Sequence, residues 1–130
     1  MRKSIYYAHA MCMYRWPAEQ RELAAIRRRF ARAKIVNPAL YDRHPAKLRD
    51  TIHFCFRLID ECDVVVFSRS FGRVTAGVGL EVNHALDQCK PVFEIAGGRL
   101  VSRSRKVRFI SRTATIRLYE KWRRVNLDWD

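Results

Sequence analysis

Two hydrophobic patterns alternate along this chain: short continuous apolar runs, and apolar residues that recur every three or four positions. The run SIYYAHA, residues 4–10, reads as a buried strand. PAEQRELAAIRRRFARA, residues 17–33, opens on a proline suited to a first helical position and carries Leu23, Ile26 and Phe30 at helical spacing. KIVNP is a short strand ended by Asn37 and Pro38, and the proline-bearing stretch that follows shows no settled period. Helical period returns over 46–61 through Leu48, Ile52, Cys55 or Phe56, and Ile59. DVVVF, residues 63–67, is a β-branched run of the kind found in central parallel strands. The loop SRSFGRVTAG leads to a helix over about 78–88 and the strand KPVFEI. A glycine turn suited to a hairpin follows, then VRFI as a further strand and a last helix bearing Ile116, Tyr119 and Trp122. This order predicts one α/β domain over residues 1–130: an open, mainly parallel sheet with flanking helices, Rossmann or flavodoxin-like.

Composition narrows the class. A chain of 130 residues fits a single core, and no apolar run approaches the roughly 20 residues that cross a bilayer, so no membrane partner is expected. Tyr, His and Arg15 interrupt the apolar opening, which therefore reads as a first strand and not a signal peptide. Cys12, Cys55, Cys62 and Cys89 are far apart and form no C-x-x-C pair, which points to reduced thiols in a cytoplasmic protein and to no metal site. The formal net charge of +13 gathers in RRRFARAK, residues 27–34, and in the basic C-terminal part from about residue 97, where Glu120 is the one acid between Arg99 and Arg124. Such a charge attracts phosphate-bearing partners, nucleic acid or small nucleotide alike.

In an open parallel sheet, ligands bind outside the carboxyl ends of the strands. The richest of these loops runs into TAGVGLEVNHAL, residues 75–86. Gly77 and Gly79 permit close backbone approach, and the helix start suits a phosphate or a sugar oxygen. Glu81 is expected on the first turn, held ionised by the helix dipole, as a nucleophile or an acceptor for sugar hydroxyls; first-turn acids also serve stability alone. His9 at a strand end and His84, three residues after Glu81, titrate in the useful range.

The run DVVVFSRSFGRVTAGVGLEVNHALDQCKPVF resembles the nucleoside 2-deoxyribosyltransferase family and the related 2'-deoxynucleoside 5'-phosphate N-hydrolases. The opening IYYA is similar to that family's first strand. The resemblance implies one deoxyribosyltransferase-like domain without a cofactor, in which Glu81 of the G-x-G-x-E segment attacks the anomeric carbon as the base departs. It places Tyr6 near the sugar and Asp63 at a recurrent family position. Thr75 stands where the nucleotide hydrolases carry a phosphate-binding serine, and with Ser68, Ser70 and nearby arginines it suits a 5'-phosphate. The place of the family's assisting Asp is taken by Cys55, and Asn83 replaces a glycine common after the nucleophile. His9 and His84 are the substitutes for the missing acid. The resemblance further implies a homodimer, for which Trp129 is a docking candidate.

Three classes stay open on these grounds. One is an N-glycosidase or base-exchange enzyme acting on a (deoxy)nucleoside or its 5'-monophosphate. The second is a nucleotide-binding or sensing domain without turnover, and the third is a basic nucleic-acid-binding protein using the C-terminal part with Tyr119 and Trp122 for stacking.

Overall fold

The computed structural model describes residues 2–127; Trp129 lies outside them. Five strands form one sheet in the order β2-β1-β3-β4-β5. Strands β1 (Ser4–Ala8), β2 (Lys34–Val36), β3 (Val64–Phe67) and β4 (Val92–Ala96) are parallel, and β5 (Arg99–Arg103) is the antiparallel edge. Helices α1 (Pro17–Arg29), α2 (Pro45–Arg49), α3 (Thr51–Asp60), α4 (Ala76–Asp87) and α5 (Arg112–Leu127) complete the Rossmann or flavodoxin-like α/β fold.

The alternation within the central strands explains why both faces of the sheet are covered. Ile5, Tyr7, Val64 and Val66 point to one side, where Leu23, Ile26 and Phe30 of the α1 segment close over them. Tyr6, Ala8, Val65 and Phe67 point to the other, against Cys55 and Ile59 of α3 and Val78, Val82 and Ala85 of α4. A strand buried on both faces needs no polar alternation, hence the continuous VVVF run. Pro17 occupies the start of α1, and Arg27, Arg28 and Arg29 sit in its last turn, where the dipole favours cations. The two-residue hairpin into β5 requires left-handed backbone at both Gly97 (φ 59°) and Gly98 (φ 75°), which glycine adopts without penalty.

Three expectations are corrected. The helical pattern over 46–61 is two helices, because Asp50 leaves helical geometry (φ −153°) and accepts the His53 N–H with its side chain, capping α3. VRFI is not a strand: residues 104–111 cross α4 irregularly, tied by Val107 N to Asn83 Oδ1 (2.8 Å), Asn83 Nδ2 to Val107 O (3.1 Å) and Ile110 N to Val74 O (3.0 Å). Asn83 thus spends both ends of its amide on a backbone that β pairing would otherwise have satisfied. Finally, α4 starts at Ala76, two residues before the reading, so both glycines lie inside it.

No helix among the described residues is long and apolar enough to cross a membrane.

Candidate functional site

The sheet order makes β1 and β3 the strands where the winding direction reverses, and the loops after them, 9–16 and 68–75, border the crevice such a reversal opens. Glu81 reaches this region from α4. Because α4 begins at Ala76, Glu81 is on the second turn and not the first, and it points inward with 8% of its surface exposed. The tyrosine hydroxyl of Tyr6 donates to Glu81 Oε1 at 3.0 Å. The Cys55 thiol faces both groups.

The expectation of a dipole-ionised carboxylate is overturned by burial. Loss of water raises the Glu81 pKa to about 7, against the opposing pull of the Tyr6 hydroxyl, the Cys55 thiol and the Lys47 ammonium. Desolvation likewise pushes the Cys55 thiol up to about 12, with the Glu81 charge adding to it, so Cys55 is a neutral thiol in the acid's place. Lys47 is itself buried, donating to Pro38 O (2.8 Å) and Asp42 Oδ1 (3.3 Å) and standing 5.2 Å from the centre of the Tyr14 ring.

A cavity of about 370 Å³ adjoins this group, lined by Tyr14, Trp16, Tyr119 and Trp122 with Arg15, Arg123 and Asp42 at its sides. Burial raises the pKa of the Tyr14 and Tyr119 hydroxyls, and the Glu81 charge reinforces both shifts. Both tyrosines line the cavity and are near enough to Glu81 to feel its charge, while Glu81 does not itself line it. Four aromatic rings and two guanidinium groups suit a flat heterocycle carrying an anion.

The other residues picked out in the sequence are placed elsewhere or given other work. His9 is buried, stacked on the Tyr7 ring (centroids 3.7 Å apart), with Nδ1 3.1 Å from Tyr7 O and Nε2 2.7 Å from Glu19 Oε2. Burial lowers its pKa. Both ring nitrogens face oxygens, so a proton lies on the line between Nε2 and Glu19. His84 is on the outer side of α4, bonded to Asp60 Oδ1 (2.8 Å) and stacked on Phe56, not on Glu81. Asp63 precedes β3 and so sits at the amino edge of the sheet, opposite the crevice, where its carboxylate accepts the Ser4 N–H.

Ser68 donates to Glu22 Oε1 (2.6 Å), and Ser70 to the Met13 sulfur (3.4 Å). Thr75 precedes α4 with its hydroxyl buried, close to Tyr119 but making no hydrogen bond of ordinary geometry. The first amide of α4, at Ala76, donates to Thr115 Oγ1 of α5 (3.0 Å), so α5 occupies a donor that a phosphate would use. Gly79 does not serve a ligand either: a side chain there would collide with Phe109, whereas at Gly77 it would meet open space.

Sequence reading missed Lys47, Tyr14 and Glu19. Tyr14 comes from a segment without hydrophobic period and Lys47 from a polar position at the start of the helical pattern, and their meeting near Glu81 depends on the packing of separate loops and helices. Among the described residues no group of three His, Cys, Asp or Glu side chains is placed to hold a metal ion. Comparison of the chain with family models and with curated proteins finds no match.

Proposed function

We propose that this protein cleaves the N-glycosidic bond of a nucleoside or nucleoside 5'-monophosphate, by hydrolysis or base exchange, with Glu81 as nucleophile. The observation that carries the reading is a buried carboxyl, brought to a pKa of about 7, at the carboxyl ends of β1 and β3 beside an aromatic cavity with two arginines. The base stacks among Tyr14, Trp16 and Trp122, and Arg15 and Arg123 meet a 5'-phosphate. A Glu81 oxygen forms a bond to the anomeric carbon as the carbon–nitrogen bond breaks, and the electron pair of that bond leaves on the base. The departing base takes its proton from solvent, because burial raises the Tyr119 pKa and makes that hydroxyl a poor acid. Water or a second base releases the sugar from Glu81. Attack requires a rearrangement that opens a path from the cavity to Glu81, which does not line it. The same reading includes a homodimer in a reducing cytoplasm; light scattering on the purified protein checks the first.

A second reading, a nucleotide-binding domain without turnover, is favoured by the absence of Glu81 from the cavity lining and by Cys55, whose neutral thiol does not replace a carboxylic acid. One experiment separates the two. Base release is followed by chromatography over a panel of deoxynucleosides, ribonucleosides and their 5'-monophosphates, for wild type and Glu81→Gln. Release abolished in Glu81→Gln supports glycosidase action. Absence of release, together with a nucleotide-induced rise in Tm that Arg123→Ala removes, supports the binding domain and sinks the enzyme.

A further inference from the structure

The loop after β3 holds a bulky side chain in a conformation that bulky side chains avoid. Ser70 and Arg73 exchange both backbone hydrogen bonds (2.9 Å each), closing a two-residue turn whose central residues are Phe71 (φ 50°) and Gly72 (φ 72°). Glycine tolerates this backbone; phenylalanine does so at a cost, and small polar residues are the ordinary choice at such a position. The strain is not repaid by burial, since Phe71 stays 40% exposed. The turn displays the ring.

Its surroundings carry charge of one sign. Arg69, Arg73 and Arg108 line a depression of about 290 Å³ around Gly72, and among the described residues no acid lines it. Glu94 holds Arg69 from behind, through Nε at 2.9 Å, and thereby fixes its direction. A second exposed ring, Phe109 at 42%, borders the same depression. Residues 104–111 carry it across α4, and its ring fills the space that Gly79 leaves. On the other side, the Phe71 ring meets the edge of Trp122 (centroids 5.5 Å apart) and lies 4.8 Å from the Lys121 ammonium. Trp122 in turn lines the aromatic cavity, so the surface is continuous from the three arginines across Phe71 to the cavity mouth.

We propose that this surface binds single-stranded nucleic acid, with Phe71 and Phe109 stacking on bases and Arg69, Arg73, Arg108 and Lys121 neutralising the backbone phosphates. Guanidinium groups lining one depression call for a phosphate anion, and exposed rings between them call for the flat faces of bases. A duplex hides those faces, and a free mononucleotide carries one base where Phe71 and Phe109 offer two exposed rings. The net charge of +13 supplies long-range attraction but would do so anywhere on the surface; the rings and the arginines together select this place. On this surface Trp122 contacts the Phe71 ring, while Tyr119 lines the neighbouring cavity close to Thr75.

Fluorescence anisotropy with labelled twelve-residue oligo(dT) and oligo(U), over a salt series, tests the proposal. Wild type is expected to bind both strands, with affinity falling steeply as salt rises. Arg73→Glu with Arg108→Glu should weaken binding by about 10-fold or more and flatten the salt slope, each lost phosphate contact lowering it by roughly 0.7. Phe71→Ala with Phe109→Ala should weaken binding by about 10-fold while leaving the salt slope unchanged. Phe71→Trp keeps a stackable ring and should hold wild-type affinity, which separates loss of stacking from loss of fold. Arg27→Glu with Arg32→Glu, in the last turn of α1 and the turn leading to the amino end of β2, should change affinity by less than about 3-fold, and Glu81→Gln should leave it unchanged, so binding is independent of the glycosidase reading. Three results overturn the proposal: no binding at low salt, equal losses from the two arginine pairs, or a duplex of the same length bound as tightly as the single strands.

Discussion

Burial of Glu81 costs the fold stability wherever its carboxyl must ionise. A carboxyl with an ordinary value of 4.5 that is raised to about 7 by folding binds its proton more tightly in the native than in the unfolded state. Below pH 4.5 both states are protonated and burial of the ionised form costs nothing. Between 4.5 and 7 the unfolded chain releases its proton and the native one keeps it, so stability falls as pH rises, by about 3 kcal/mol across the window. Glu81→Gln removes the ionisation, and denaturant melts should show it more stable than wild type by up to about 3 kcal/mol at pH 8, with no difference at pH 4. An equal gain at both pH values would mean the carboxyl is not buried as an ion. Tyr6→Phe withdraws the hydroxyl that favours the charged form, so the Glu81 pKa should rise further, and any activity that needs the carboxylate should appear only at higher pH. The position of Glu81 was legible in the sequence through the glycine-rich segment before it. Its protonation was not, because burial depends on Tyr6, Cys55, Tyr14 and Tyr119 arriving from four other parts of the chain. Lys47 was illegible for the same reason: a lysine in a proline-rich stretch gives no sign that Pro38 and Asp42 will bury its ammonium.

Helix ends and glycines decide most of what the elements do. The periodic apolar positions located α1, α3 and α4 because those helices bury one face each, but periodicity does not register competition for backbone hydrogen bonds. Asp50 broke the predicted long helix by capping α3, and Lys90 closes the other end of α3 by donating to the carbonyls of Ile59, Asp60 and Cys62. The strand expected at VRFI failed similarly, since Asn83 on α4 takes up the backbone groups of Val107. The two glycines of α4 now separate cleanly. Gly77→Ala meets open space within a helix and should stabilise by about 0.4–1 kcal/mol. Gly79→Ala collides with Phe109 from its Cβ outward, so the 104–111 segment must move, at a cost of about 1–3 kcal/mol. Thermal melts of the two variants read opposite signs; a stable Gly79→Ala protein would show that the segment is not packed on α4.

Across the whole molecule, the order of strands and helices along the chain and the mainly parallel sheet it implies were the most legible features, because strands covered on both faces leave an unbroken apolar signature and their helices alternate with them in sequence. What the order does not determine is the cover of the crevice, which α5 provides through Thr115 and Tyr119, contacts that span some forty residues of chain. All four cysteines are free, and they sit at different depths in this architecture: Cys89 is exposed, Cys12 is half-buried in the wall of the aromatic cavity, and Cys55 and Cys62 lie in the core. Thiol titration of the native protein should therefore show one fast equivalent from Cys89, absent in Cys89→Ser. Cys55 and Cys62 should react only as the whole domain opens, at a rate that denaturant accelerates as it does unfolding. Cys12 should fall between them, slowed by burial that lifts its pKa to about 11. A nucleoside monophosphate seated among Tyr14, Trp16 and Trp122 would cover Cys12 and slow it further while leaving Cys89 unchanged. Protection of Cys12 that Arg123→Ala abolishes would place the ligand in the cavity. Reaction of Cys12 at an undiminished rate under saturating nucleotide would mean that the ligand binds elsewhere, and that the cavity beside Glu81 is not the substrate site.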